Sequence, residues 1–559
     1  MRVRNEQESD VRPGRRERVV DRMLSRRLGL RAATSEYTIN RRVRIPMRDG
    51  VELLADHYAP VGGSVGTVMI RSPYGWEGLN SALYRAQFPT RGYHLLLVRC
   101  RGTFGSAGVW NPWVHEIDDG ADTLAWLRTR PWFGGKLATV GNSYLGWTQW
   151  ALLMDPPPEL AAAVIQTAPH DFGDAAYFGG AFNLSDWLGW SEQLVRQERI
   201  GGMRAIVRMA TAGRRQAPAM SWLPLSQAAD VLCDGEAPWF GNWASVRDLS
   251  DPFWAPMQLG RALDRVRVPV LLQSGWQDIF LPQTRQQYAR LRERGQDVAL
   301  TIGPWTHRQT GTQGMSMLAQ ETMDWLDEHV AGVRRDVRPA RVRMFVTGAG
   351  TWRDLPDWPE YPMDLSLYPA SGGVLGARRP PDGTPPARFT YDPASPTPTV
   401  GGRLLAPGGG YRDDSALADR GDVLAFTGAS LAEELEVIGT PWVELAHSSD
   451  TPHADVFVRL SEVDAKGRSH NVSDGFVRLG PRQADGVVRI ELDPIAHRFR
   501  AGHRIRLLVA GGSHPRWERN LGTGEDPATS TRLVSSHHTI DLTRSRLHLP
   551  VQDRTGQPL

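Results

Sequence analysis

The stretch ATVGNSYLGWTQWALL, residues 138–153, leaves this chain few folds to choose from. It opens with small and β-branched residues, as a buried strand does. It turns at Gly141-Asn142-Ser143-Tyr144, then runs into Trp147, Trp150, Ala151 and Leu152 at helical spacing. A serine at a tight strand-to-helix turn is a nucleophile elbow. Such a turn exposes the hydroxyl, and the free N–H groups at the helix amino end point at a reacting oxygen. Gly141 is expected to permit the strained backbone, and Gly146 to let helix and strand pack closely. The spelling departs from the general G-x-S-x-G: Leu145 stands where the second glycine belongs, and Gly146 comes one residue later.

The surrounding text supplies the sheet that an elbow needs. YTINRRVRIPMRDGVELLADHY reads as a β-hairpin closed by MRDG. GTVMIRSPYG and GYHLLLVRCRG are short apolar strands ending in polar loops, and HEIDDGADTLAWLRTRPW between them and the elbow is amphipathic and helical. ELAAAVIQTAPHD adds a strand. Strands alternating with helices imply a parallel sheet covered on both faces, with working residues at the carboxyl ends of its strands. The expected fold is α/β: an α/β-hydrolase core over 37–172 and 265–335, with a helical cap inserted at 173–264 where Trp and Met abound and the strand rhythm stops. From 336 to 559 the segments alternate without long helices, which predicts an all-β jelly roll.

Length and composition narrow the function. At 559 residues, 41% of them hydrophobic, the chain suits a multidomain globular protein. No apolar run approaches the ~20 residues of a membrane helix. Residues 1–36 read as an arginine-rich arm, disordered or a short amphipathic helix, without the apolar core of a secretory signal. Acidic residues interleaved with those arginines argue against a nucleic-acid tail. Cys100 and Cys233 make neither a disulfide framework nor a metal site, and a cytoplasmic location fits best. The expected partner is a small ester or amide substrate, with no nucleic acid and no membrane; a homo-oligomer stays open.

Three residues then fall into order. Ser143, Asp278 and His307 each follow an expected strand: VPVLLQSGWQDIF places Asp278, and DVALTIGPWTHRQTG places His307. Serine, acid, histidine is the chain order of an α/β-hydrolase triad. Ser143 would attack a carbonyl carbon, His307 would take its proton, and Asp278 would fix the imidazole tautomer. The backbone N–H of Tyr144 offers one oxyanion donor. No HGGG segment supplies a second, and the Tyr74 hydroxyl, after an earlier strand, could replace it. His115 and His170 are rival bases; Glu116, Asp118, Asp119 and Asp171 are rival acids.

RIPMRDGVELLADHYAP, RSPYG, RGTFGSAG, GNSYLGWTQW, SGWQDIF and GPWTH together resemble the cocaine esterase/NonD hydrolases of the serine peptidase group that includes X-Pro dipeptidyl-peptidases. The likeness runs from about residue 38 to 545, and G-x-S-Y-x-G is that family's own form of the elbow. It implies the three-part build above, Ser143, Asp278 and His307 as triad, Tyr74 as oxyanion donor, and no cofactor or metal. Members include aryl-ester hydrolases, acylases, α-amino acid ester hydrolases and X-Pro dipeptidyl-peptidases. The α-amino ester enzymes carry carboxylates just after the triad aspartate; here Ile279, Phe280 and Leu281 stand there, so a substrate ammonium would meet apolar side chains. Asp174 or Asp186 could still supply a charge for an exopeptidase. Trp147, Trp187, Trp190 and Phe280 are candidates to line an apolar acyl pocket. The expectation is a serine hydrolase of carboxylic esters. The alternatives are an X-Pro dipeptidyl-peptidase, an acylase, and a non-catalytic protein binding through its β-sandwich.

Overall fold

A computed structural model describes residues 10–551 except 202, 203, 205, 206, 209, 335–337, 339, 360–362 and 482–485. Among the described residues, ten strands form one sheet. In chain order they are β1 (Tyr37–Pro46), β2 (Glu52–Pro60), β3 (Gly66–Ser72), β4 (Tyr93–Arg99), β5 (Leu137–Asn142), β6 (Leu160–Gln166), β7 (Val270–Gln277), β8 (Val298–Thr306), β9 (Val342–Val346) and β10 (Thr351–Leu355). Their spatial order is β1-β2-β4-β3-β5-β6-β7-β8-β9-β10. The neighbours from β4 through β9 are parallel; β1, β2 and β10 pair antiparallel at the edges.

The central strands are buried on both faces. Every residue of β4 and β7 is buried, and Leu95, Leu96, Leu97, Val98, Val164, Ile165, Leu271, Leu272, Leu300 and Ile302 are 0–1% exposed. Helices α1 (Arg15–Arg27), α2 (Leu79–Gln87), α3 (Glu116–Arg128) and α4 (Tyr144–Leu152) lie along the amino-terminal half. α1 docks on the sheet's flank: Asp21 pairs with Arg85 of α2 at 3.0 Å, and Val11 bridges to Ile39 of β1. That helix forms the middle of the arginine-rich arm; residues 1–9 lie outside the described residues.

Between β6 and β7 the described chain is helical. Its helices include Leu184–Arg196, Ala212–Met220, Ala228–Cys233 and Pro238–Ser245, and Trp190 of the first stacks on Trp243 of the last, which meets Phe172 edge-on. β9 and β10 extend the α/β sheet past residue 336, where the sequence suggested the β-rich part begins. Val342 and Met344, both fully buried, lie beside Leu300 and Ile302 of β8, and covering that edge explains the pairing.

From Met363 the described chain is all-β apart from one short helix, Ser415–Ala418. A second sheet of twelve strands is joined by the long strand Ser536–Val551, which pairs with Met363–Ala370, Ala387–Tyr391, Leu435–Gly439 and Trp442–Ser449. Its own apolar core holds Val443, Leu445, Val458, Leu507, Val509 and Leu547. No helix among the described residues is long and apolar enough to cross a membrane.

Candidate active site

The carboxyl ends of β3, β5, β7 and β8 gather the site. β5 ends at Asn142 and α4 starts at Tyr144, so Ser143 takes the whole turn, at φ 57° and ψ −123°. A non-glycine residue there is strained by an estimated ~1–3 kcal/mol and persists only when its surroundings hold it. They do: Ser143 N–H donates to the Gln166 carbonyl at 2.9 Å, and its own carbonyl accepts from Gly146 and Trp147.

The strain sits on Ser143 and not, as the sequence suggested, on Gly141, whose φ is not positive. Gly141 is instead needed for space. A Cβ there would lie 2.4 Å from Leu145 Cβ, and one on Gly146 would lie 2.3 Å from Ala168 Cβ. The two glycines let α4 drop onto β5 and β6, which also accounts for the displaced second glycine.

Beneath the elbow lies a buried polar group. The Tyr144 hydroxyl donates to Glu116 at 2.9 Å and accepts from the Trp113 N–H at 2.9 Å, while Arg71 pairs with Glu116 from the other side. Burial raises the Glu116 carboxyl above its ordinary range against the pull of Arg71. Glu116 is therefore a support for α4. The other rivals are also engaged: Asp118 with Arg48, Asp119 with Arg101, and Asp171 as the cap on Asp174 N–H. His115 precedes the first turn of α3, and His170 is buried against Gln287.

Asp278 follows β7 directly and His307 follows β8 directly. Their strand ends are registered as Gln277 opposite Thr306. His307 Nδ1 lies 2.7 Å from Asp278 Oδ1, with Asp278 fully buried and His307 7% exposed. The other carboxylate oxygen, Oδ2, accepts from Ser274 Oγ at 2.8 Å. A carboxylate held on both oxygens fixes the ring and directs Nε2 outward. The ring is walled by Phe280, edge-on at 5.5 Å between centroids.

Tyr74 stands two residues past β3. Its hydroxyl accepts from Trp190 Nε1 at 3.0 Å, and the Ser143 side chain lies next to it. Burial pushes the phenol up to about 12, so it stays a proton donor at neutral pH. The Tyr144 N–H, at the first position of α4, has no acceptor within its helix. Both groups are able to donate to an oxygen bound near the serine.

The aromatic candidates divide. Trp187, Trp190 and Phe280 form a wall over His307 and Tyr144, with centroids 6.1–6.2 Å apart. Trp147 is fully buried behind Trp113, edge-on at 5.1 Å, in the core under the elbow. Among the described residues no group of three or more His, Cys, Asp or Glu side chains is placed to hold a metal.

Sequence reasoning missed a seam from the β-rich half. Residues 402–411 lie against both the Asp278 and His307 loops. Arg403 donates from Nη1 to the Ile279 carbonyl at 2.9 Å while paired with Asp493 at 2.7 Å. Arg308 donates to the Leu405 carbonyl, and Leu405 N–H donates to Asp186 at 2.8 Å. Gly410 packs so tightly that a Cβ would sit 3.0 Å from Thr306 Cγ2. Ser274 carried a weak signal, four residues before an acid at a strand end; Arg403 carried none.

Known proteins share both the fold and the sequence pattern of this site. The profile of the X-Pro dipeptidyl-peptidase (S15) family matches residues 49–309, the span from β2 to His307 and its turn. The profile of the X-Pro dipeptidyl-peptidase C-terminal non-catalytic domain matches residues 336–548. Cocaine esterase of Rhodococcus sp. (strain MB1 Bresler) is 29% identical over 543 residues, covering 87% of this chain and 93% of that one. An α-amino acid ester hydrolase shares the fold with a TM-score of 0.79 at 22% identity, over 92% of this chain and 97% of its own. A CocE/NonD family hydrolase from Staphylococcus aureus does so at 0.67 and 16%, over 92% and 94%. The chain is a serine hydrolase.

Proposed function

We propose that the protein hydrolyses carboxylic esters through an acyl-enzyme formed on Ser143. The observation that carries this is the short His307–Asp278 contact at the carboxyl ends of β7 and β8, on the same side of the sheet as a serine in a strained elbow next to Tyr74. Ser143 Oγ attacks the ester carbonyl carbon and its proton passes to His307 Nε2, while Nδ1–H donates to Asp278. The oxyanion takes hydrogen bonds from the Tyr74 hydroxyl and the Tyr144 N–H. As the tetrahedral intermediate collapses, the C–O bond breaks and His307 returns the proton to the departing alkoxide. Water then attacks the acyl-enzyme with His307 as base, and Ser143 leaves with the proton.

Esters are favoured over amino-terminal peptides by what surrounds His307. Ile279, Phe280 and Leu281 follow Asp278, and Phe280 and Leu281 are buried. Asp186 is already engaged by the Leu405 N–H and flanked by Arg403 and Arg516. Asp174 is exposed at the far end of an Asp171-capped turn. The buried residues after Asp278 thus offer a substrate ammonium no carboxylate beside His307, so the exopeptidase reading rests on the likeness to the S15 family. A cytoplasmic location goes with the proposal, since Cys100 and Cys233 are both free, buried thiols.

The test is a panel of 4-nitrophenyl esters and X-Pro-anilides on wild type and Ser143→Ala. Ester turnover that disappears in Ser143→Ala is expected. Faster cleavage of the anilides than of the esters would replace the reading with the exopeptidase one.

A further inference from the structure

A cavity of about 380 Å³ opens beside the site, between the helix Leu184–Arg196, the helix Ala212–Met220 and the loop 405–407. Trp190 forms part of its wall, and that indole is the one bonded to the Tyr74 hydroxyl. Arg308, the residue after His307, forms another part. The cavity is thus within one side chain of both the oxyanion position and the general base.

Its charges do not cancel. Arg196, Arg208, Arg215 and Arg308 line it, against Asp186 and Glu192. Arg196 is matched by Asp234 outside the cavity, and Arg308 is coupled to Asp186. That leaves Arg208 and Arg215 both on Glu192. Arg215 grips it with Nε and Nη2, each at 2.9 Å, Arg208 adds a third contact, and Gln216 donates at 2.7 Å. Two guanidinium groups share one carboxylate, so one positive charge is in excess. The Glu192 side chain is 3% exposed, whereas Arg208 and Arg215 are 30% and 28% exposed. The anion is sealed in and the cations face the open side. Trp190, Leu405, Ala406 and Pro407 give the cavity one apolar side, while Ser185, Gln193 and Gln197 add neutral polar groups. The surplus charge is partly exposed and so acts at short range, and a planar carboxylate matches a guanidinium fork.

We propose that this cavity receives one arm of the substrate and that the arm ends in a carboxylate, which makes the preferred substrates acidic esters. The inference rests on the esterase reading above. The ligand carboxylate would complete the Arg208–Glu192–Arg215 group, while its chain lies along Trp190 and Leu405. A cationic arm would be repelled by the same surplus charge.

The experiment compares matched ester pairs on wild type: 4-nitrophenyl hexanoate with 4-nitrophenyl hydrogen adipate, and phenyl acetate with 4-carboxyphenyl acetate. Within at least one pair the acidic member should have kcat/KM about tenfold higher or more, with the gain falling as salt rises. Arg208→Gln leaves Glu192 its contacts from Arg215 and Gln216 and should bring that ratio towards unity; Arg208→Glu should invert it. Phosphonylation of Ser143 by neutral and ω-carboxy phosphonates reads the same ratio without turnover. Neutral members cleaved and phosphonylated as fast as acidic ones would overturn this inference and leave the esterase reading standing. No cleavage of any ester together with no phosphonylation would overturn both.

Discussion

The serine side and the acid–base side of the site are held in different ways. Ser143 is fixed by residues close to it in the chain or in its own sheet. Gln149 Nε2 spans the carbonyls of Gly141, Leu145 and Val164, α4 rests on two glycines, and Tyr144 is tied to Glu116 below. Asp278 and His307 are fixed to each other, but the loops that carry them are buttressed from the β-rich half. Arg403 holds the Ile279 carbonyl, Gly410 abuts Thr306, and Gln277 donates to the Val472 carbonyl at 3.3 Å. The nucleophile is thus a local structure, while the proton-transfer pair depends on residues a hundred or more positions downstream. A region that matches a profile described as non-catalytic thus buttresses the loops that carry Asp278 and His307.

The largest expected effect treats the two sides as chemically equal. Ser143→Ala and His307→Ala should each lower kcat by about a millionfold, because the pair acts as a unit, and Asp278→Asn by about ten-thousandfold. Steady-state kinetics with unchanged circular dichroism checks this. If His307→Ala kept most of the turnover, another base would be at work. Tyr74→Phe comes next, with an expected loss of about a hundred- to thousandfold in kcat, the usual worth of one oxyanion donor.

Smaller substitutions separate the sides. Gly146→Ala forces a Cβ to within 2.3 Å of Ala168 Cβ, so it should cost about 1–3 kcal/mol in denaturant unfolding. Arg403→Lys keeps a charge near Asp493 but gives up the fork that reaches Ile279. Its expected signature is a loss of about tenfold in kcat with KM little changed. If Arg403→Lys altered only stability, the seam would be a strut and not a positioning device.

The smallest effect is in pH. Burial pushes the Asp186 carboxyl up to about 6, against the pull of the Leu405 N–H and of Arg516, Arg403 and His307. Its folded value exceeds the ordinary ~3.9, so between about pH 4 and 6 the folded state holds more protons than the unfolded one. Stability therefore declines as pH rises through that window, by an order of 1–3 kcal/mol, and stays reduced above it. Asp186→Asn removes this penalty. It should raise the Tm relative to wild type at pH 8, with the difference shrinking as pH falls towards 4.

The same contrast governs what the sequence revealed. Residues 138–153 carry strand, turn and helix in one stretch, so the elbow was legible, as were Asp278 and His307, each on a short apolar run ending in a polar loop. Legibility stopped at residues brought in from elsewhere. The side chain of Arg403 has no pattern around it that points to Ile279. Trp147, Trp187 and Trp190 share helical spacing that makes each look alike, yet only the latter two face the reacting groups. Gly141 was recognisable as necessary, but the reason was closeness to Leu145 and not backbone freedom. β9 reads as one more alternating strand, and only its pairing with β8 places it in the α/β sheet.

The account stands on one activated hydroxyl, and a fluorophosphonate reads it directly. Peptide mapping of the treated protein should find a single adduct, on Ser143, absent from Ser143→Ala and formed far more slowly in His307→Ala. An adduct on another residue, or an unslowed Ser143 adduct in His307→Ala, would contradict it.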